Sequence, residues 1–552
     1  MLVAAAVIAG LLLRFAGLDA RSLWGDEIVN LTVAMGHSWY PWQGEESEPF
    51  YGADHYREMV AHAPEYYSGR VGALLRMNDQ IPPLYYILLN FWIHLFGTSE
   101  AALRSLSLLA STATIPLLYL LGRALASRDA GVYGAWIFAL APFHVAFGVY
   151  NRPYAWLCFF AVLSTLAAVH VSRGARGAWL ATYTVAAALG LYTHYLFVWN
   201  ILFHVLLVLF YRRDDRAALL RFGVTCAIVA IGFLFWLPTF LAQIQWSREL
   251  RHQSWFYWYS GQPSLLEMAT SLGRNFMLLL TAGSIRQPCE PGGSACPVDP
   301  VLTAVFYAVP LLMFGLSGWH LLRYHAGRTG RESTAGPDPW TSCLLWGTCV
   351  FLGPVLSDLL LDSHMVQSHR YFIAASGPAY IAVAMAVAGT SRRPLRWSLG
   401  AGLLLFLLAG SGLYLRGSAT ALIYEISARD AARYLDDQSA GASDLVLVLD
   451  PGINPMDFAY YLGTNPDFAR VRVPARHLEA PGVAEQLRAI TAARPRARIW
   501  YVDDHGPEQT AHAAVLDWLR TRYDEVETRA FTNVDLHLFS ARRQPGRTPE
   551  GD

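Results

Sequence analysis

Five short clusters hold most of the polar chemistry of this chain. Ser22-Leu23-Trp24-Gly25-Asp26-Glu27 sets two carboxylates side by side, and Asn78-Asp79-Gln80-Ile81-Pro82-Pro83-Leu84-Tyr85-Tyr86 carries a third. Tyr150-Asn151-Arg152-Pro153-Tyr154, Tyr192-Thr193-His194-Tyr195 and His369-Arg370-Tyr371 add two arginines and two imidazoles among tyrosines. A carboxylate beside a reacting hydroxyl serves as a general base. A guanidinium offers bidentate, charge-assisted bonds to phosphate. Asp26 is therefore the candidate base, with Glu27 as its support, and Arg152 and Arg370 are candidate phosphate clamps. Asp79, Tyr154, His194, Tyr195 and Tyr371 are candidates to line the cleft between them. Each has a plainer reading. Acids favour helix N-termini, Pro82 and Pro83 favour a first helical turn, arginines near a lipid boundary snorkel to headgroups, and His194 can serve only to hydrogen-bond a tight corner.

The composition says what must hold these clusters. Of 552 residues, 54% are hydrophobic and 15% charged, with mean hydropathy +0.29. Soluble chains carry about 25% charged residues, so most of this one faces lipid or a large apolar core. Disorder, coiled coil and a simple soluble enzyme are excluded. The 42 basic and 42 acidic residues cancel, so no basic excess suggests a nucleic-acid partner. Lysine is absent, so every one of the 42 cations is arginine.

Apolar runs of near-membrane length recur at about 2–18, 84–97, 105–123, 130–149, 153–171, 178–193, 195–211, 220–241, 301–322, 340–361, 370–388 and 397–415. They predict an α-helical polytopic membrane protein of about 11–13 transmembrane helices, its segment 84–97 short for a full crossing. The first run lacks the basic start and small-residue cleavage site of a signal peptide, and reads as an uncleaved span. Loops holding Arg173 and Arg176, Arg212 to Arg221, Arg323 to Arg331 and Arg392 to Arg396 should be cytoplasmic. The loops 19–80 and 242–300, the corner at His194, the loop 362–369 and the stretch after 416 then face outward, and all five clusters share that face. Ionisable groups at that depth are costly, which makes them functional candidates.

Sugar transfer from a polyprenyl phosphate carrier fits carboxylates and arginines at an outer lipid boundary. The acceptor hydroxyl needs a base, the phosphate leaving group needs cations rather than an acid, and the carrier tail stays in lipid. The same residues resemble a known family. Leu13-Arg14-Phe15-Ala16-Gly17-Leu18 running into Ser22–Glu27, Asp79 ahead of Pro82-Pro83-Leu84-Tyr85-Tyr86, Phe96–Glu100 leading to Arg104, Pro142-Phe143-His144, Arg152-Pro153-Tyr154, Tyr192–Tyr195 and Arg370-Tyr371 resemble the GT-C superfamily. The closer likeness is to glycosyltransferase family 39, which is similar to the protein O-mannosyltransferases and the lipid A aminoarabinose transferases. The resemblance implies inverting transfer from a polyprenyl-phosphate sugar, with Asp26 catalytic and the acceptor a protein, lipid or glycan. The chain departs from the family at Ile81, where many relatives carry His, and at Tyr150, where an acid often stands. It also lacks the lysine that the aminoarabinose enzymes carry before their second span.

The chain divides into a transmembrane catalytic domain at 1–416, an extracytoplasmic α/β domain at 417–545 and a frayed tail at 546–552. In the second, strands near 444–449, 470–473, 497–502 and 534–539 alternate with helices. No glycine-rich phosphate loop accompanies them, so nucleotide binding is unsupported. Cys289 and Cys296 read as a small disulfide on an oxidising face, and Cys158, Cys226, Cys343 and Cys349 as packing residues in spans. The run Trp255-Phe256-Tyr257-Trp258-Tyr259 suits an interfacial belt. No cofactor is expected. His364 and His369 are five apart, off the spacing that sets two metal ligands on one helix face, although the distant oligosaccharyltransferases use a divalent ion. The competing class is a transporter or flippase of lipid-linked glycans, which would use the same residues for binding alone, but no internal repeat supports it.

Overall fold

The computed structural model describes residues 1–37, 51–60, 81–250, 264–281, 283, 298–326, 338–361, 365–418, 427–438, 444–450, 455–473, 481–495, 498–504 and 509–542. Asp79, the aromatic run 255–259, His364, the Cys289–Cys296 pair and the tail 546–552 lie outside the described residues.

Helices stand at every predicted span. α1 (Leu2–Phe15) is followed by two short helices of the first long loop, α2 (Gly25–Ala34) and α3 (Ala53–Glu58). Then come α4 (Leu84–Phe96), α5 (Glu100–Leu125), α6 (Arg128–Leu140), α7 (Pro142–Phe147), α8 (Tyr154–Ser172), α9 (Ala178–Thr193), α10 (Phe197–Arg212), α11 (Arg216–Leu234) and α12 (Leu237–Leu250). α13 (Leu265–Leu278), α14 (Pro300–Ala326), α15 (Pro339–Leu361), α16 (Ser376–Ala388) and α17 (Arg393–Leu415) complete the helical part. Among the described residues, seven segments are long and apolar enough to cross a bilayer, and α1, α4 and α10 are shorter apolar helices. Leu12, Phe91, Leu220, Phe235 and Leu312 point outward, the lipid-facing surface of a multi-span membrane protein.

The predicted span 130–149 is broken, and the break serves the site. Pro142 cannot continue α6, because it has no N–H to give. Ending a helix inside a bilayer strands its last carbonyls. Here each finds a donor: Ile137 takes the Ala141 N–H at 2.8 Å, Phe138 and Ala139 take Arg14 at 3.1 and 3.0 Å, and Leu140 takes Ser411 at 2.7 Å. Arg14, fully buried in α1, is thus the plug of the break, and it also donates to Ser111 at 2.7 Å. Gly148 follows close by; a methyl there would stand 2.8 Å from both Arg14 Nε and Ser111 Oγ, so no side chain fits. The chain emerges from this knot as Tyr150-Asn151-Arg152.

The C-terminal region is a six-stranded sheet of order β1-β3-β2-β4-β6-β5. β2 (Asp444–Asp450), β3 (Asp467–Arg472) and β4 (Arg498–Asp503) are parallel, and β5 (Tyr523–Phe531) and β6 (Val534–Ala541) add antiparallel strands. Helices α18 (Ala428–Asp437), α19 (Pro455–Ala459), α20 (Val483–Ala493) and α21 (Gln509–Arg522) cover it. Period-two alternation sends Leu445, Leu447, Ile499 and Tyr501 to a core with α20 and α21. Val446, Val448, Trp500 and Val502 go to the other face, in one core with Leu23, Ile28, Leu31, Tyr56, Leu89 and Leu103. Two features differ from the sequence expectation. β5 is a strand the alternation did not mark. β1 is Tyr51–Gly52 of the first long loop, paired antiparallel with Phe468 and Asp467, so the division at 416 cuts a shared sheet. The four cysteines in spans are unpaired; Cys158, Cys343 and Cys349 are buried and Cys226 half-buried, as packing residues should be.

Candidate active site

α2 brings Asp26 to the cleft and turns Glu27 away from it. Neighbours along a helix lie about 100° apart in projection and do not face one another. Glu27 is fully buried. Its two oxygens meet Arg104 Nε at 2.9 Å and a terminal nitrogen at 2.7 Å, and Oε1 also accepts the Asn151 N–H at 2.8 Å. Its Oε2 caps the helix by accepting the Trp24 N–H at 3.4 Å. Glu27 therefore does not reach a substrate; it ties α2 to α5 and to the turn before Arg152. Arg104 further binds the carbonyls of Leu18, Arg21 and Ser22 at 2.8–2.9 Å.

Asp26 is about a third exposed and lies between the two predicted arginines, Arg370 at 2.5 Å and Arg152 at 3.5 Å. Two arginines, 126 and 344 residues further along the chain, thus converge on one carboxylate. Arg152 is placed by Asn30, whose Oδ1 accepts from it at 2.8 Å and whose amide donates to the Asn151 carbonyl at 2.6 Å. Asn151 Oδ1 in turn accepts from Tyr85 at 2.9 Å. Sequence reasoning did not single out Asn30, although it stands four residues after Asp26 and so on the same helical face. Arg370 sits in a 3-10 turn, His369–Ala375, preceded by another at Met365–Gln367. That approach is pinned by Asp358, which accepts the Val366 N–H at 2.8 Å, and by Asn275, which donates to the Val366 carbonyl at 2.7 Å.

Aromatic rings wall the arginines. The Arg152 guanidinium lies 5.6 Å from the Tyr154 ring and that of Arg370 lies 5.3 Å from Tyr371. His194 fits between the two tyrosines, 6.0 and 5.9 Å from their rings. Burial first, then Arg152 and Arg370, bring the His194 imidazole down to about 3. It is neutral at pH 7, and because Nδ1 accepts the Leu196 N–H at 3.2 Å, Nε2 carries the proton. Tyr195 meets Trp236, Gln243, Phe233 and Phe240 of α11, α12 and their junction, so it braces those helices. Burial pushes the Asp26 carboxyl up, but Arg152 and Arg370 outweigh it and hold the group below its ordinary value.

Among the described residues, the one group of three side chains able to hold a metal ion is Asp503, Asp504 and His512, at the end of β4 in the C-terminal sheet. His512 bonds Asp504 at 2.9 Å and Tyr501 at 2.7 Å, partners that account for its burial.

A family profile described as dolichyl-phosphate-mannose-protein mannosyltransferase matches residues 80–259. The solved structure of ArnT from Cupriavidus metallidurans superposes with a TM-score of 0.53 at 13% identity, covering 97% of each chain. The same protein bound to undecaprenyl phosphate gives 0.53 at 12%. This chain has the GT-C fold. The archaeal oligosaccharyltransferase AglB from Archaeoglobus fulgidus, in complex with an inhibitory peptide and a dolichol-phosphate, gives 0.51 at 13% identity, covering 99% of this chain and 74% of that one. No curated protein sequence matches. The chain is a multi-span membrane protein with that fold, and the stretch 80–259 matched by the profile contains Arg104, Asn151, Arg152, Tyr154 and His194 of the site.

Proposed function

We propose that this GT-C protein transfers a sugar, with inversion, from a polyprenyl-phosphate donor to an acceptor hydroxyl on the outer face of a bacterial inner membrane. The observation that carries the reading is the Asp26 carboxylate set between Arg152 and Arg370. In the reaction, Asp26 takes the acceptor proton as the new glycosidic bond forms on the face opposite the leaving phosphate. Arg152 and Arg370 take up the charge left on that phosphate as the sugar–oxygen bond breaks. An incoming phosphate competes with Asp26 for the same guanidiniums, and each one it withdraws leaves Asp26 a stronger base. Neutral His194 offers an N–H donor beside them. Undecaprenyl phosphate in ArnT and dolichol-phosphate in AglB support a lipid carrier here. Mannose is our first choice of sugar, on the family profile, and the acceptor is a glycan, lipid or protein of the cell envelope. We place the N-terminus in the cytoplasm and the C-terminal sheet outside, following the arginine-rich loops. Arginine supplies the cations the phosphate needs, so we propose that no divalent ion is required.

Purified protein in proteoliposomes with radiolabelled polyprenyl-phosphate-mannose is expected to transfer label only when membrane extract supplies acceptor, and equally well in EDTA. Donor binding without turnover across mannosyl, arabinosyl and aminosugar donors, with extract present, would overturn the transferase reading. The pH profile offers a second check. Asp26 is held below its ordinary value by Arg152 and Arg370, so the acid limb of kcat/KM should lie below the usual carboxylate range. Arg370→Gln removes one of those cations and leaves burial less opposed, so the limb is expected to move to higher pH. A limb that stays in place would remove Asp26 as its origin.

A further inference from the structure

The segment carrying Asp26 is held from two sides. From below, Arg104 grips the carbonyls of Leu18, Arg21 and Ser22. From above, it is held by residues of the C-terminal sheet region. The Leu23 N–H donates to the Tyr461 hydroxyl at 2.6 Å, and that hydroxyl donates to Glu100. Arg429 pairs with the other Glu100 oxygen at 2.9 Å, donates its own N–H to Ser22 Oγ at 3.1 Å and reaches the Asp19 carbonyl at 3.0 Å. Beyond α2 the same loop is caught again, by the pairing of β1 with β3 and by Arg57 on the carbonyls of Leu462 and Thr464, both at 2.8 Å. α2 itself touches α19, where Thr32 lies 3.9 Å from the Met456 sulfur.

We infer that the C-terminal domain is a positioning part of the active site, in which Tyr461 and Arg429 fix the approach to α2 and thereby hold Asp26 in line with Arg152 and Arg370. The inference rests on the transfer reading above. Its physical basis is the difference in anchorage among the three groups. Arg152 and Arg370 stand on turns between membrane helices, Arg152 placed by Asn30 and Arg370 by a 3-10 turn whose approach Asp358 and Asn275 pin. Asp26 stands three residues after Leu23, on a ten-residue helix with a bracket at each end. Freeing one bracket lets the carboxylate move against fixed arginines, and a misplacement of about 1 Å at a reacting group costs about 10²-fold. Tyr461 is neither in the cleft nor a phosphate ligand, so loss of its hydroxyl should act on the chemical step and not on donor capture.

The test pairs kinetics with hydrogen exchange. Tyr461→Phe keeps the ring and its packing and deletes the hydroxyl that accepts the Leu23 N–H. It is expected to lower kcat by about 10- to 100-fold, to leave donor KM within about twofold, and to speed exchange in peptides covering 22–28. Arg429→Gln should do the same, with Arg429→Lys between it and wild type because the charge opposite Glu100 survives. Unchanged kcat with a lowered melting temperature would make the contacts merely structural and overturn the inference, as would unchanged exchange in Tyr461→Phe. If the wild type transfers no sugar, the transfer reading fails and exchange alone decides whether Tyr461 orders the α2 segment.

Discussion

Asp26→Asn is expected to cut sugar transfer by about 10²–10⁴-fold, the contribution of a positioned general base. Asparagine has nearly the same shape and can still accept a hydrogen bond from Arg370, so the geometry of the cleft survives. What is lost is the ability to take the acceptor's proton, and with it the negative charge that draws Arg152 and Arg370 together. Both guanidiniums then become more available to a phosphate, so the variant should bind polyprenyl-phosphate sugar at least as tightly as wild type. Asp26 is 31% and Arg370 28% exposed, so their pair is partly solvated and contributes little to stability, while the buried Arg152 keeps its bond to Asn30. The melting temperature should barely move. Full donor binding, near-normal stability and lost turnover form a combination that only a chemical role produces. Turnover like wild type would dismiss Asp26 as the base.

Much of this site was legible because lipid makes charge expensive. Asp26, Arg152, His194 and Arg370 stood out by lying at the ends of apolar runs, and positive-inside counting gave those ends a common face. The fold brings all four together. Glu27 was grouped with Asp26 by adjacency in sequence, yet one step along a helix is a turn of about 100°, enough to bury one acid and present the other. Asn30 followed from the same rule and was overlooked because asparagine carries no charge. Tyr195 was placed beside His194 by a similar adjacency and braces α11 and α12. The larger surprise is β1. Two residues, Tyr51 and Gly52, make a strand with no alternation to read, and their partner lies more than 400 residues away. β5 was hidden for another reason: Tyr523–Phe531 is an edge strand with largely exposed polar side chains, so it lacks the apolar period of its neighbours. Pairing between distant segments, rather than local pattern, joined the first loop to the C-terminal sheet.

Glu27→Gln should fail in a manner opposite to Asp26→Asn. It is expected to destabilise the fold by about 3–5 kcal/mol, the cost of leaving a buried charge without its partner. Glutamine replaces one carboxylate oxygen with an amide that can only donate. Whichever way the amide turns, that donor faces Arg104, or the N–H of Asn151 or Trp24, all of which also donate. Arg104, itself 3% exposed, keeps its positive charge but loses the carboxylate that its guanidinium contacts. Removing the arginine as well gives no simple rescue, because the carbonyls of Leu18, Arg21 and Ser22 then lose their donor. Arg104→Gln and the double variant should therefore both remain unstable, with a coupling energy between the two sites that a double-mutant cycle would expose. The measurement is the temperature at which the purified protein loses its monodisperse peak in size-exclusion chromatography, set beside transfer activity at a temperature where the variant is still folded. Activity should fall with the folded fraction. A Glu27→Gln protein as heat-resistant as wild type but inactive would make this second acid a participant in the chemistry rather than the anchor of the helix that presents Asp26.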